Sequence, residues 1–262
     1  IVEAAMRMAW TQVIAQLGVP CCTDTPDAAR RSVRVVAIGY GKFGGRELGY
    51  SSDLDLVFLH DSAGTQQETD RAEPVDNQVF FLRYAQRLMH LLTFHSAAGR
   101  LYEVDVRLRP SGKGGMLVTS TDVPSVQAGR KLIDTLSEIA VDPGMMHLVI
   151  NRATVDTGLS VADVEGMRRE LASGGDGFDL KQDRGGIADI EFLAQYWALQ
   201  WAREHPPVVM FSDTIRQLES VASAALVPQQ TVDVLVAAYQ AYRAAGHRRA
   251  LDGLGGPVGL VC

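Results

Sequence analysis

Cysteine is scarce in this 262-residue chain: Cys21, Cys22 and Cys262 are the only three. They form neither a disulfide framework nor a metal-ligand spacing, and they fit a reducing cytoplasm. No apolar run is long enough to span a bilayer. Glu3, Arg7 and Trp10 interrupt the start, so no secretory leader is laid out there. Basic charge is not in excess either. Lys plus Arg number 25 against 31 acidic residues, a net charge of −6, which argues against non-specific nucleic-acid binding. The first residue, Ile1, falls inside a helical pattern, and the chain is expected to be a piece of a longer protein.

What is present is an ordinary globular composition, 47% hydrophobic and 21% charged, with enough chain for one or two domains. Met6, Trp10, Val13 and Leu17 fall on one face of a helix over 1–17. Residues 23–32 read as a loop. Val33–Ile38 reads as a strand that empties into Gly39-Tyr40-Gly41-Lys42-Phe43-Gly44-Gly45. Asp53–Leu59 reads as a second strand, 61–76 as a polar loop and 77–95 as a helix. Leu101–Leu108 reads as a third strand, with Met116–Thr119 returning beside it. Helices are predicted over 187–203, 213–224 and 229–249. A mixed α/β half thus precedes an all-helical half.

Gly39-x-Gly41-x-x-Gly44 matches a dinucleotide fingerprint, with Asp61 at a plausible distance for a ribose contact. Only Gly45–Ser52 separate Gly44 from Asp53, too few for the crossover that such a unit needs. A phosphate cradle is the better reading. It places Gly44-Gly45 at a helix start, where backbone N–H groups face phosphate oxygens. Asp53 and Asp55, two apart on a strand, share one face, while Leu54 and Leu56 point into the core. Their mutual repulsion suits a hard divalent cation such as magnesium. Alternation sets Glu103, Asp105, Arg107 and Arg109 on one face of the third strand. Asp105 could complete a two-metal site, and the arginines could neutralise phosphate. Each feature also has a plainer reading: a tight turn, a solvated sheet face, a charged edge. Their joint occurrence, in this order, favours the site.

Residues 39–61, GYGKFGGRELGYSSDLDLVFLHD, resemble the signature of the bifunctional glutamine synthetase adenylyltransferase/adenylyl-removing enzymes. Those enzymes belong to the polymerase-β-like nucleotidyltransferases. Residues 101–112, LYEVDVRLRPSG, resemble their second signature, and 178–192, FDLKQDRGGIADIEF, the motif opening their helical domain. The wording resembles the C-terminal, adenylylating half more than the removing half. The resemblance implies an α+β fold: a polymerase-β-like nucleotidyltransferase domain with a small mixed sheet over 1–150, then an irregular linker over 151–177. An all-helical domain over 178–252 and a flexible tail over 253–262 follow.

It also implies magnesium-dependent transfer of AMP from ATP to a tyrosine of glutamine synthetase, in the cytoplasm. A PII-type signal protein and glutamine are the implied regulators. Asp53, Asp55 and Asp105 would be the metal-binding and catalytic carboxylates. Gly44, Gly45 and Ser52, with Arg107 and Arg109, would bind the nucleotide. Lys181, Asp183, Asp189 and Glu191 lie in the third signature, as a structural network between the domains or as catalytic groups. Residues 123–158 depart from the family, whose members carry an aromatic-rich segment there; this stretch has no Trp, Tyr or Phe. It has either diverged or been read through a shifted frame. The phosphorolytic removing half and a catalytically impaired regulatory fragment are the alternatives.

Overall fold

The computed structural model describes residues 2–23, 28–50, 52–96, 99–100, 102–107, 116–121, 147–150, 165–166, 169 and 178–253. The expectations for Arg109, for the Pro110–Gly115 turn, for most of 123–158 and of the linker, and for the tail after Gly253 lie outside these residues. The chain divides into two compact units: Ile1–Gly44 with Ser52–Asn151, and Gly45–Ser51 with Arg152–Cys262.

The first unit is built on an antiparallel pair, β3 (Val35–Gly39) and β4 (Leu54–His60), in register from Val35 opposite His60 to Gly39 opposite Leu56. Every residue of β3 is buried, and so is every residue of β4 except Asp55, which is half-buried. This is why both segments read as nearly continuous apolar runs. Val36, Ile38, Val57 and Leu59 form a cluster on one face, with Tyr40 against it. The opposite face carries Leu54, Leu56, Phe58 and His60, all buried. There the His60 ring stacks on Phe81 at 4.3 Å.

Phe81 belongs to α3 (Asn77–Thr93), which packs against α1 (Val2–Leu17). Asp76 caps α3 by accepting the Gln78 N–H at 2.7 Å. Trp10 of α1 meets the edges of Phe80 and Tyr84 at 5.3 and 5.6 Å. The helical stripe read from the sequence is therefore the surface that covers this part of the core.

Three further strands complete the main sheet. β10 (His147–Ile150) runs parallel to β3 on its outer side. β8 (Val104–Asp105) and β9 (Val118–Ser120) both run parallel to β4 on its other edge, β8 at its start and β9 at its end. Two expectations are corrected here. Among the described residues the third strand is the two-residue β8, because the Asp105 carboxylate turns back to the Arg107 N–H at 2.8 Å and ends the extended run. β9 does not return beside it but takes the stretch of β4 edge that β8 leaves open.

A second small sheet was not expected. In it β1 (Pro20–Thr23) lies between β2 (Arg31–Ser32) and β5 (Thr65–Thr69). These strands fall largely in segments that read as loops. β5 is mostly exposed Thr, Gln and Glu, so it shows no apolar alternation. A short hairpin, β6 (His95–Ser96) with β7 (Gly99–Arg100), follows α3.

The second unit packs α4 (Ile187–Trp201), α5 (Thr214–Ser223) and α6 (Gln229–Leu251) around Ile190, Ala194, Leu218, Val221, Val232 and Tyr239. Residues 45–51, expected within the first domain, group with this unit. Glu47 is the reason: it is buried and accepts the Thr214 N–H and hydroxyl at 3.0 Å each. Among the described residues no helix is long and apolar enough to cross a membrane.

Candidate active site

The alternation of β4 sets Asp55 on the face of Val57 and Leu59, away from the face that meets α3. Asp53 lies two residues earlier, exposed, just before the strand. Asp105 is the register partner of Asp55 in the parallel ladder of β4 and β8. Neighbouring strands run about 4.8 Å apart, so these two carboxylates leave adjacent backbone positions on the same side. The ladder is pinned around them: the Leu54 N–H donates to the Glu103 carbonyl at 2.8 Å, and the Tyr40 N–H to the Asp55 carbonyl at 2.9 Å.

Gly41, read from the sequence only as the middle glycine of the dinucleotide fingerprint, completes this corner. It has a φ of 52°, in the left-handed region. A Cβ added there would sit 2.2 Å from the Asp55 carboxylate oxygen Oδ2. Only glycine leaves room for that carboxylate. A glycine two residues past a buried strand, at the start of a short helix, was the available signal.

The glycine pair sits differently from the expectation. The short helix α2 spans Gly41–Gly44, so Gly44-Gly45 closes it instead of opening it. The Gly44 N–H is spent on the Tyr40 carbonyl at 2.8 Å. Gly45 opens the 45–51 segment of the second unit, and Ser52 is half-buried next to Asp53 in the first. Arg107 does not continue the strand face. Its Nε donates to Asp105 Oδ2 at 2.7 Å, and a terminal guanidinium nitrogen contacts the same oxygen. This hydrogen bond and the Asp105 charge, with smaller contributions from Asp55 and Asp53, hold the Arg107 guanidinium above its ordinary pKa.

The dinucleotide reading ends with the topology, since β3 and β4 are antiparallel. Asp61 is not placed for a ribose. It is fully buried and accepts the Arg34 N–H and Nε at 2.7 and 2.6 Å, with Arg31 3.2 Å away.

The third signature lies in the second unit, where its residues shape a turn. Asp179 accepts the Lys181 N–H at 2.7 Å, and Asp183 accepts the Asp179 N–H at 2.7 Å. Asp189 accepts the Gly185 N–H. A Cβ on Gly186 would come within 2.8 Å of the Leu180 carbonyl oxygen, so the turn into α4 requires glycine there. Glu191 accepts the Tyr239 hydroxyl at 2.9 Å, and burial pushes that phenol up to about 12. All of these contacts lie within the second unit. Glu47, the other anchor of this unit, was missed because an acid after a glycine loop carries no burial signal of its own.

Among the described residues no group of three His, Cys, Asp or Glu side chains is set to hold a metal ion. The donor chemistry nevertheless suits magnesium: hard carboxylate oxygens on adjacent register positions, with Gly41 keeping space at one of them. The Asp105 carboxylate is turned to the Arg107 guanidinium.

The profile of the glutamate-ammonia ligase adenylyltransferase family matches residues 1–126. That of GlnD PII-uridylyltransferase matches residues 165–250. The interval between them contains most of the aromatic-free stretch. The chain is 39% identical over 300 residues to the bifunctional glutamine synthetase adenylyltransferase/adenylyl-removing enzyme of Pseudomonas syringae pv. tomato, covering 99% of this chain and 29% of that protein. It is 40% identical over 277 residues to the enzyme of the same name from Hahella chejuensis, covering 97% and 28%. For that of Pseudomonas putida the figures are 38% over 283 residues, 96% and 28%. The chain therefore spans under a third of the length of these relatives. Nearly the whole length of the chain is thus similar to bifunctional glutamine synthetase adenylyltransferase/adenylyl-removing enzymes, and its first part to the adenylyltransferase profile.

Proposed function

We propose that this chain is the nucleotidyltransferase portion of such an enzyme, moving AMP from ATP to a tyrosine of glutamine synthetase. The pairing of Asp55 with Asp105 carries this reading. Like charges on adjacent register positions repel, and a sheet keeps them there when a cation is to be held. Asp53, Asp55 and Asp105 are the proposed magnesium ligands. Bound magnesium supplies charge neutralisation at the α-phosphate.

The remaining work falls to the chain. Asp105 orients the attacking tyrosine hydroxyl and takes its proton as the oxygen closes on the α-phosphorus and pyrophosphate leaves. Gly41, at the start of the short helix, puts no side chain of its own against the Asp55 carboxylate. Gly44, Gly45 and Ser52 would lie along the polyphosphate, Gly44 without its N–H, which is bound to the Tyr40 carbonyl, and Arg107 and Arg109 would offset its charge. Positioning and charge stabilisation are the sources of rate in such transfers. Cytoplasmic placement, and regulation by glutamine and a PII-type protein, belong to the same proposal.

The test is direct. The chain is incubated with magnesium, α-labelled ATP and unmodified glutamine synthetase, and label is sought on the target. In parallel, AMP-modified glutamine synthetase is incubated with phosphate, and ADP is sought. Label on the target supports the adenylylating reading. ADP release without labelling would assign the chain to the removing half. Neither activity, in a folded chain that binds ATP, would assign it a regulatory role.

A further inference from the structure

Phosphate binding does not account for how Arg107 is held. Its backbone N–H donates to Asp105 Oδ1 at 2.8 Å and its Nε to Oδ2 at 2.7 Å, with a second guanidinium nitrogen on the same oxygen. The Arg107 side chain is 67% exposed and that of Asp105 14%. Asp105 stands beside Asp55 in the ladder, and Arg107 also feels the charges of Asp55 and Asp53. A long, solvated cation thus sits at a ligand of the site proposed above.

We propose that Arg107 is an exchangeable counter-ion for Asp105. It neutralises the carboxylate until a divalent cation arrives, yields it, and then turns to the polyphosphate of the incoming nucleotide. The inference rests on the reading of the aspartates as metal ligands. Two physical points support it. The guanidinium half of the pair is mostly in water, so it is released to solvent when a divalent cation, with twice its charge, takes the carboxylate oxygens. The backbone N–H bond to Oδ1 does not depend on the Arg107 side chain, so the carboxylate stays aimed after the guanidinium leaves. Asp55 and Asp105, on adjacent register positions, repel one another, and the arginine relieves this before the cation is loaded.

The experiment measures binding of Mn2+, a spin-active stand-in for magnesium, to the 262-residue chain without nucleotide. Free Mn2+ is read by electron paramagnetic resonance, and thermal unfolding confirms that each variant is folded. Arg107→Gln is expected to bind Mn2+ roughly two- to fivefold tighter than the parent and to bind Mg-ATP more weakly. Arg107→Lys, which keeps the charge but loses the two-pronged contact, is expected to fall between them. Asp55→Asn and Asp105→Asn are the reference variants. If both weaken Mn2+ binding while Arg107→Gln matches the parent or binds more weakly, the counter-ion role is overturned and the ligand assignment stands. If both bind Mn2+ as the parent does, the ligand assignment fails and the counter-ion role fails with it.

Discussion

Asp55 and Asp105 face each other across the parallel ladder of β4 and β8, one carboxylate above Gly41 and the other in the grip of Arg107. Two segments some fifty residues apart in the chain thereby deliver like charges to one corner of the sheet. The central strand pair supplies the rigidity, being buried along nearly all its length.

Gly41→Ala is expected to cost more than backbone strain. A left-handed alanine costs roughly 1–2 kcal/mol, and the added methyl would also push the Asp55 carboxylate aside. AMP transfer should fall on the order of 100-fold, the scale of a misplaced catalytic group. Gly185→Ala is the control, since Gly185 has a φ of 84° but nothing near its added Cβ. It should lose stability alone, by a similar backbone cost. Transfer rates and thermal midpoints of the two variants check the contrast.

His60 makes stability depend on pH. Burial, opposed by the nearby Asp61 charge, lowers its pKa from 6.5 to about 4. The folded ring stays neutral where the unfolded one already binds a proton, so its contribution is complete above pH 6.5 and drains away as the pH falls toward 4. The loss is on the order of 3 kcal/mol. Urea unfolding at pH 7 and pH 5 should show a larger drop for the parent than for His60→Gln, which has no titrating ring. Equal drops would refute this.

Glu47→Ala leaves the buried Thr214 N–H and hydroxyl without their acceptor and removes the partner of Arg243. A loss of roughly 1–3 kcal/mol in the second unit is expected. Glu47→Gln keeps an acceptor and should recover part of it. Denaturant unfolding followed by tryptophan fluorescence, with Trp197 and Trp201 in the helical unit, measures both.

The sequence made the helices legible because their apolar stripes repeat at the helical period over many residues, as Phe81, Tyr84, Leu88 and Leu91 do in α3. β3 and β4 were legible as unbroken apolar runs. The small sheet was not, because β5 is polar and β1 is four residues containing a proline and two cysteines. The shortness of β8 was hidden too. Its alternation runs on in the sequence, but a local carboxylate-to-backbone bond at Asp105 ends it. At the site, spacing and the family signatures singled out the three aspartates. They could not show that Gly44 closes its helix, that Asp61 serves a buried ion pair, or that Arg107 is bound to Asp105. Those outcomes depend on which partner each polar group reaches in three dimensions, and local sequence does not encode that.

The central claim is that the register pair Asp55 and Asp105 forms the reacting centre. Single-turnover transfer from α-labelled ATP to glutamine synthetase, measured for Asp55→Asn and Asp105→Asn beside the parent chain, tests it most directly. Loss of transfer by orders of magnitude in both, with unfolding midpoints near the parent's, is the predicted result. Parent-like transfer in either folded variant would contradict it.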